Sequence, residues 1–531
     1  MPENPSTFRL TYSTMFEPPA ELHERFEDAA TRIRDHLGAE HAMWIGGRNE
    51  RAAQRFESRT PIDHRIVLGR FQSGAAEHAV AAVTAAAQAQ AQWSRVPWAE
   101  RVATLRGAVA LIEERVFYLA AVLALEVGKN RMEALGEVQE TADFIRYYCD
   151  QAEEHGGWVR TMQRDPLPGF ASENTSVLKP YGVWVVIAPF NFPFALAGGP
   201  AGAALLAGNT VVLKAASATP WSGRLLADVF RDAGVPAGAF NYVTGPGGSI
   251  GEALVRDPRV GGVTFTGSYE VGMHLYRLVA QASHPRPCIA EMGGKNAAIV
   301  TRHAHIADAA LGVMRSAFGL SGQKCSACSR VYVERSVFND FLADLHQWTA
   351  ALKIGDPLSR EHWMGPVINA SALARYEDAV SEIRALGPAG AIVHGGERLD
   401  QGELAHGYFC SPTIARAPLE HPLWQRELFL PFVLVAPIDD VEEGIALANA
   451  TQYALTAGFY GSDEECERFF ESVDAGVCYA NRPQGATTGA WPGYQPFGGW
   501  KGSGSTGRSA GSMYYVPQYM REQSQTRVRR A

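Results

Sequence analysis

The sequence predicts an α/β protein with two parallel-sheet domains, and three observations lead to this class. Short apolar strands alternate with helix-length segments from residue 181 onward, and a second alternating region follows Cys325. Such alternation is typical of parallel strands joined by crossover helices. The chain has 531 residues, of which 46% are hydrophobic, so it can bury more than one core.

Each predicted element follows from a local pattern. Residues 75–155 are Ala-rich and periodic, which indicates helices. The first sheet is predicted from apolar runs of strand length, at residues 183–188, 210–214, 240–243 and 262–266. The second domain has predicted strands near residues 330–333 and 432–437. Residues 158–179 and about 505–526 have strand character without a helix, and we include the run 512–517 in the second of these segments.

Composition and charge exclude several classes of function. The net charge of −8 gives no basic surface for nucleic acid, and the basic run 527–530 is expected to be a solvated tail. The apolar stretch 182–208 is interrupted by prolines and glycines, so we expect no membrane span. Seven cysteines are few for this length, and residues 1–9 lack an apolar signal core. We therefore expect a cytoplasmic protein.

Cys325 is the candidate nucleophile. It follows a Gly-containing loop and stands beside Lys324, a setting in which a thiolate can be stabilised. The remaining cysteines outside the Cys325-Ser326-Ala327-Cys328 run lie in ordinary apolar or helical contexts, and we interpret them as buried structural residues: Cys149, Cys288, Cys410, Cys466 and Cys478. Because no second CxxC and no histidine cluster accompanies that run, we expect no metal.

Two polar residues upstream suit the same chemistry. Glu291 ends a short apolar strand and precedes a Gly pair, which is a favourable place for a general base. Asn191 lies in a turn after the apolar strand 183–188, where an amide can donate to an oxyanion. Each motif alone is weak evidence, whereas an amide, a carboxylate and a thiol in this order make a strong combination.

At these residues the chain closely resembles the aldehyde dehydrogenase superfamily, from about Trp44 to the run 496–499. The resemblance implies an aldehyde dehydrogenase-like fold with a Rossmann-type NAD(P)-binding domain (1–157 and 180–290) and a catalytic domain carrying Cys325 (291–490). It also implies a small oligomerisation arm (158–179 and 500–531), and hence a homo-oligomer. In this family the thiolate attacks an aldehyde, the amide holds the oxyanion and the glutamate activates the hydrolytic water.

A Gly-rich turn between a strand and a helix predicts a nucleotide site, with Gly245, Gly247 and Gly251 in a spacing one residue longer than the usual fingerprint. Ser268 follows the next strand at a helix start, as suits a phosphate. The resemblance adds Lys214 on the adenosine ribose, Glu427 on the nicotinamide ribose and Phe429 against the ring. Ser217 stands where many NAD-specific relatives have a glutamate, so we expect NAD, with NADP possible.

Within the superfamily the chain looks most like the 1-pyrroline-5-carboxylate dehydrogenases, which oxidise glutamate γ-semialdehyde in proline breakdown. The similarity is carried by the runs 126–130, 143–148, 323–327 and 495–499. It implies a small-molecule aldehyde substrate and a link to a proline dehydrogenase. The implied substrate residues are Ser326, Gly489 and Ala490 for the carboxylate, Glu140 for the ammonium, and Phe192 and Phe497 along the stem.

Alternatives remain at the substrate end. The loop 481–494 is a few residues longer than in its relatives and contains a second pair, Gly485-Ala486, that can serve as the carboxylate anchor. This loop and Trp491 leave open a dehydrogenase for another semialdehyde or a broad range of aldehydes. A non-catalytic binding protein on the same fold is disfavoured, because a scaffold has no need of Asn191, Glu291 and Cys325 together.

Overall fold

The computed structural model describes residues 9–16 and 18–530. Residues 1–8, for which no apolar signal core is expected, lie outside the described residues. Among the described residues, no helix is both long and apolar enough to cross a membrane.

The helices form two groups, one before and one after the nucleophile. They are α1 (Ala20–Ile33), α2 (Ala76–Trp93), α3 (Trp98–Glu114), α4 (Val116–Val127), α5 (Arg131–Glu154), α6 (Ala195–Leu206), α7 (Pro220–Asp232), α8 (Glu252–Arg256), α9 (Tyr269–Ala280), α10 (Ile306–Phe318), α11 (Phe338–Ala350), α12 (Ala370–Ala385), α13 (Val441–Asn449) and α14 (Asp463–Ser472). The helices predicted within residues 75–155 are confirmed as α2 to α5.

The strands form two large sheets and several small ones. They are β1 (Ala39–His41), β2 (Met43–Ile45), β3 (Arg48–Glu50), β4 (Arg55–Arg59), β5 (Val67–Gln72), β6 (Val159–Thr161), β7 (Phe170–Pro180), β8 (Val183–Ile187), β9 (Thr210–Lys214), β10 (Phe240–Val243), β11 (Val260–Thr266), β12 (Cys288–Glu291), β13 (Asn296–Val300), β14 (Cys328–Glu334), β15 (Ala391–His394), β16 (Arg398–Leu399), β17 (Phe409–Cys410), β18 (Thr413–Arg416), β19 (Phe432–Ile438), β20 (Tyr453–Ala454), β21 (Thr456–Tyr460), β22 (Val477–Ala480), β23 (Trp500–Lys501) and β24 (Met520–Arg530).

The first large sheet has the order β12-β11-β8-β9-β10-β2-β3, and its strands from β12 to β10 are parallel. All four strands predicted for it are present. Their side chains are buried nearly throughout, as expected for a parallel sheet covered by helices on both faces. Register places Ile187 beside Lys214 and Thr266 beside Glu291, so the strand ends share one edge.

The second large sheet has the order β15-β18-β19-β14-β13-β21-β22. It is parallel except for β15, and it includes the two strands predicted near residues 330–333 and 432–437. A separate hydrophobic core packs on each face of this sheet. The nucleophile loop enters the sheet at the amino end of β14.

A third, antiparallel sheet has the order β24-β7-β6. Two expectations fail here. The run 512–517 is a turn that leads into a short 3-10 helix (Val516–Tyr519), where Tyr515, Val516 and Tyr519 pack into the core instead of pairing as a strand. The basic run 527–530 is not a free tail, because it pairs with β7 as the last part of β24.

Candidate active site

The site lies at the carboxyl edge of the first sheet, where the strand order reverses. From β8, the strands β9 and β10 are added on one side of the sheet, and the later strands β11 and β12 are added on the other side. A crevice forms at such a reversal, outside the carboxyl ends of the strands. Asn191 follows β8, Ser268 follows β11 and Glu291 ends β12, so strand order brings these three positions to one crevice.

The loop before β14 holds Cys325 in a constrained backbone. Leu320 and Ser321 have φ angles of 50° and 54°. This left-handed conformation costs of order 1–3 kcal/mol for a residue other than glycine. Gly322 follows with φ +67°, and a side chain there would overlap neighbouring backbone. From β13, Asn296 Nδ2 donates to the carbonyl oxygen of Cys325 at 2.7 Å, which fixes the nucleophile's own peptide.

The electrostatic setting of Cys325 differs from the sequence expectation. The Lys324 side chain does not serve the thiol, since its Nζ lies 2.6 Å from Glu133 Oε1. Burial raises the pKa of the Cys325 thiol to about 12, and the carboxylates of Glu427 and Glu291 act in the same direction. The backbone N–H groups of Ser326 and Cys325 lower that pKa. The thiolate is therefore a reactive species formed only when a base takes its proton.

Asn191 is buried in the turn that follows β8, and its Nδ2 donates to the carbonyl oxygen of Gln323 at 2.9 Å. Gln323 is itself held by the backbone N–H of Ile368, which donates to Gln323 Oε1 at 2.8 Å. The amide thus lies against the segment that carries Cys325. A neutral amide donor fixed beside a nucleophile is suited to an oxyanion.

Glu291 ends β12 and has one oxygen, Oε2, that is buried without a hydrogen-bond partner in the described structure. Burial raises the pKa of Glu291 to about 8, while the backbone N–H of Gly499 works against this rise. Glu291 and Cys325 both line a small cavity of about 30 Å³. A cavity of this size accepts a water molecule, so the carboxylate and the sulfur share a place for one.

A larger, open cleft of about 860 Å³ reaches Cys325 from the first sheet. Ser268 lines it as the N-cap of α9, accepting from the Val271 N–H, so the free N–H groups of a helix end lie at the cleft. Glu427 and Phe429 line the opposite wall, and Phe429 packs edge-on against Phe190 at 5.7 Å.

The Glu427 carboxylate is tightly packed in the wall of the cleft. Its Oε1 accepts from the Gly294 N–H at 3.0 Å, and burial raises the pKa of Glu427 to about 7. A side chain at Gly293 would collide with this carboxylate. A carboxylate held in the wall of this cleft can accept hydrogen bonds from a pair of ribose hydroxyls, so the residues present fit a dinucleotide.

The remaining predicted cofactor residues lie farther along the same sheet edge. Lys214 ends β9 and is buried, which lowers the pKa of its amine to about 8. Ser217 is exposed in the following loop, and its Oγ donates to the carbonyl oxygen of Gly245 at 3.4 Å. Gly247 and Gly251 bound the short helical turn after β10, and added side chains would meet no atom at either position. These four residues lie near one another on the sheet edge, but none of them lines the 860 Å³ cleft.

On the other side of Cys325 lies a smaller region of about 80 Å³, which we call the inner cavity. The structure brings all six predicted substrate residues to it: Glu140, Phe192, Ser326, Gly489, Ala490 and Phe497. Cys325 therefore stands between two cavities of different character. One is open and suited to a nucleotide, and the other is small, lined by aromatic rings and a carboxylate.

The model of the aldehyde dehydrogenase family matches residues 48–524 of this chain. The chain belongs to the aldehyde dehydrogenase family. A 1-pyrroline-5-carboxylate dehydrogenase of Geobacillus sp. (strain WCH70) is 36% identical over 498 residues, which cover 92% of this chain and 94% of that protein.

Solved structures agree with this family assignment. The 1-pyrroline-5-carboxylate dehydrogenase from Thermus with bound NAD has a TM-score of 0.90 and 33% identity, covering 99% of this chain and 100% of that one. Proline utilization A from Bdellovibrio bacteriovorus has a TM-score of 0.91 and 32% identity, covering 99% of this chain. This chain aligns with only 54% of the length of that longer protein. The fold is thus the aldehyde dehydrogenase fold that the sequence predicts.

The two Gly-Ala pairs of the loop 481–494 have different surroundings in this aldehyde dehydrogenase. Gly489 and Ala490 line the inner cavity, and Gly489 has a φ of +102°. Ala486 is buried in the core of the second domain, and its N–H donates to the carbonyl oxygen of Gly312. Trp491 is also a core residue, with its Nε1 donating to Asp143 Oδ2 at 2.8 Å.

Sequence reasoning missed several residues at the site. The amino-terminal residues Tyr12, Met15 and Phe16 line the inner cavity together with Cys325. Asn296, which holds the nucleophile's carbonyl, was also missed. No local pattern marks these residues, because their contacts join parts of the chain that are far apart in sequence.

The second cysteine of the Cys325-Ser326-Ala327-Cys328 run faces away from the site. Cys328 is buried at the start of β14, and its Sγ lies 3.6 Å from the carbonyl oxygen of Arg330. Burial raises the pKa of Cys328 to about 12. Within the described part of the chain, no group of three or more histidine, cysteine or acidic residues is placed to hold a metal ion.

Proposed function

We propose that this aldehyde dehydrogenase oxidises L-glutamate γ-semialdehyde, which forms from 1-pyrroline-5-carboxylate, to L-glutamate in proline degradation. The observation that carries the proposal is the position of Cys325 between a nucleotide-sized cleft and an inner cavity that contains Glu140 and the Gly489-Ala490 backbone. Relatives that share about a third of their residues over nearly the whole chain carry the name of this activity.

The chain's own residues account for the chemical steps. Cys325 releases its proton to solvent water and attacks the aldehyde carbon as the thiolate, forming a carbon–sulfur bond. Asn191 Nδ2 and the backbone N–H of Cys325 then hold the oxyanion. When held in the open cleft by Ser268, Glu427 and Phe429, NAD(P) would supply the acceptor for the hydride on the adduct carbon, and loss of that hydride would leave a thioester on Cys325. Glu291 takes a proton from water, which attacks the thioester carbon and releases glutamate and the Cys325 thiol.

The proposed cofactor contacts run along the sheet edge. Ser268 and the N-terminus of α9 hold the pyrophosphate, with the Gly-rich turn at Gly245, Gly247 and Gly251 nearby. Lys214 and Ser217 serve the adenosine ribose, and Glu427 and Phe429 serve the nicotinamide end. Since Ser217 carries no charge that would repel a 2′-phosphate, the enzyme uses NAD and accepts NADP.

The proposed substrate contacts use the whole inner cavity. Ser326 and the backbone N–H groups of Gly489 and Ala490 bind the α-carboxylate, and Glu140 binds the α-ammonium. Phe192 and Phe497 flank the aliphatic stem. The burial of Gly485-Ala486 supports the choice of Gly489-Ala490 as the anchor. Of the two features that favour a different aldehyde, Trp491 does not line the cavity, whereas the longer loop 481–494 does.

The assembly is also a proposal. Residues 1–157 and 180–290 form the cofactor domain, residues 291–490 the catalytic domain, and residues 158–179 and 500–531 an arm that joins subunits into a homo-oligomer. Free cysteines, mostly buried, suit a reducing cytoplasm. A proline dehydrogenase supplies the substrate. The similarity to proline utilization A, of which this chain covers 54%, supports that link.

The test is a turnover assay with the purified protein. NADH and NADPH formation is measured with 1-pyrroline-5-carboxylate, propionaldehyde and succinic semialdehyde, with Cys325→Ala as the control. We expect preferred turnover of 1-pyrroline-5-carboxylate that is lost in the variant. Faster turnover of a plain aldehyde would contradict the substrate assignment but not the proposed mechanism. Activity no higher than that of the variant would contradict the enzyme assignment for these substrates.

A further inference from the structure

The amino-terminal segment 9–16 forms part of the wall of the inner cavity. Tyr12, Met15 and Phe16 line this cavity together with Cys325 and Glu140. The segment lies outside residues 48–524, the part of the chain that the family model matches. A segment that reaches the reacting thiol's cavity is well placed to adjust substrate choice.

The segment is tied to the proposed carboxylate loop. Arg482 Nη2 donates to the Ser13 hydroxyl at 2.7 Å, while Arg482 Nη1 donates to the carbonyl oxygen of Thr488 at 2.6 Å. One guanidinium therefore connects residue 13 to the residue before Gly489. At the other side of the segment, the Arg315 guanidinium lies 3.7 Å from the centre of the Phe16 ring. These contacts hold the segment against the cavity.

Tyr12 is the residue of this segment that contacts the proposed ammonium site. Only 8% of its surface is exposed, and its hydroxyl donates to Glu140 Oε2 at 2.8 Å. Its ring packs edge-on against Trp491 at 5.2 Å and against Phe192 at 6.3 Å. The phenol is thus fixed by packing, and its proton is directed at one oxygen of the carboxylate. The other oxygen, Oε1, receives no donor from Tyr12.

The charge of Glu140 depends on this contact. Burial raises the pKa of Glu140 to about 8, which favours the neutral acid. The hydrogen bond from Tyr12 opposes the rise, as do the more distant ammonium groups of Lys129 and Lys324, while Glu137 adds to it. A hydrogen bond donated to the charged form stabilises that form. An ammonium ligand needs the carboxylate, so the phenol favours the state that binds it.

We propose that residues 9–16 complete the substrate cavity and that Tyr12 is a positioning residue for Glu140, which gives the enzyme its preference for an aldehyde carrying an α-ammonium group. This inference rests on the proposed function, since it takes Glu140 as the ammonium partner. Tyr12 orients one carboxylate oxygen and holds the group charged, and Glu140 Oε1 then contacts the substrate.

The test compares two aldehydes that differ only in the amino group: glutamate γ-semialdehyde and glutarate semialdehyde. In the full-length protein, Tyr12→Phe keeps the ring and removes the hydroxyl. Losing a hydrogen bond to a charged group is expected to raise KM for the amino substrate about tenfold. The KM for glutarate semialdehyde should change less than about twofold. Tyr276→Phe, which removes the hydroxyl of an exposed tyrosine on α9, is the matched control.

A second variant separates positioning from packing. If Tyr12 acts through Glu140, adding Tyr12→Phe to Glu140→Gln should produce no further rise in KM for the amino substrate. Equal rises in KM for both aldehydes, or no change for either, would overturn the role of Tyr12. A wild-type enzyme without preference for the amino substrate would instead overturn the proposed function, and this inference with it.

Discussion

At the scale of single residues, the site is organised by burial more than by local charge. Cys325, Glu291 and Glu427 all have pKa values raised by desolvation, and Lys324, the neighbour of the thiol in sequence, is paired with Glu133. Raised pKa values at one site are typical of groups that exchange protons during a reaction. Proton transfer therefore governs the pH dependence of this enzyme.

Glu291 should produce an acidic limb in the pH profile, along which kcat rises with pH. Because its pKa is raised to about 8, it is protonated at pH 6 and becomes an effective base only as the pH rises through that value. We expect a burst of NADH at low pH, because the thioester forms faster than it is hydrolysed, and a kcat that rises toward pH 9. Stopped-flow absorbance measures both quantities.

The variant Glu291→Gln should remove this limb and show the burst at every pH. Glu427 also has a raised pKa, of about 7, so Glu427→Gln is the necessary comparison. If the limb survives in Glu291→Gln and is lost in Glu427→Gln, then Glu291 is not the hydrolytic base.

Ser217 should determine how well the enzyme accepts NADP. It is exposed after β9, beside the Gly245 carbonyl oxygen. Ser217→Glu introduces a negative charge that repels a 2′-phosphate, so the KM for NADP should rise about tenfold or more while the KM for NAD changes little. Initial rates with both cofactors measure this. Ser283→Glu, on the exposed loop after α9, is the control, and an equal change for both cofactors would contradict the assignment.

At the scale of elements, a buried ion pair links the connection between α4 and α5 to α5 itself. Lys129 and Glu137 are fully buried, with Lys129 Nζ 2.7 Å from Glu137 Oε2. Glu137 Oε1 also accepts from the N–H groups of Phe194 and Ala195, where α6 begins without a side-chain cap of its own. One carboxylate on α5 thereby caps α6 and fixes the end of the Asn191 turn.

Breaking this pair should destabilise the protein strongly. Glu137→Ala leaves a buried ammonium unpaired and two N–H groups without an acceptor, at an expected cost of about 3–5 kcal/mol in the free energy of unfolding. Urea denaturation followed by fluorescence measures the loss. The double variant Lys129→Met/Glu137→Leu should recover a substantial part of it, and a single variant as stable as wild type would contradict the role given to the pair.

Local pattern was sufficient for the central strands of the two large sheets and for the helices α2 to α5, and the failures have a physical cause. The central parallel strands are mostly apolar runs, so burial on two faces is visible in the sequence, whereas edge strands such as β3 are polar and exposed. The run 512–517 looks like a strand because it contains aromatic and β-branched residues. In the structure Tyr515 stacks on Tyr148 at 5.4 Å, a contact across more than 300 residues that no local pattern contains. Tyr12 and Asn296 were missed for the same reason.

At the scale of the whole molecule, the small antiparallel sheet presents unusual apolar surface. Exposed large apolar side chains are concentrated in it and in its connecting loop: Val159, Met162, Leu167, Phe170 and Val528. Exposed apolar patches mark interaction sites in proteins that are otherwise well packed. This surface supports the proposal that the arm joins subunits.

Charges placed on the arm should weaken self-association. Phe170 and Val528 are 46% exposed each and lie on paired strands, so Phe170→Asp and Val528→Asp together put repulsive, hydrated groups into the proposed interface. We expect a smaller particle by analytical ultracentrifugation. Val80→Asp, at a 50% exposed position on α2, should have no such effect. An unchanged sedimentation coefficient for the arm variant would show that subunits associate elsewhere, or not at all.

The central claim is that Cys325, between the two cavities, forms the covalent bond to the substrate. Intact-protein and peptide mass spectrometry of Glu291→Gln, mixed with glutamate γ-semialdehyde and NAD, tests it most directly. The account predicts a glutamyl adduct on the peptide that contains Cys325, located on that sulfur and absent when NAD is omitted. No adduct, or an adduct on Cys328 instead, would contradict it.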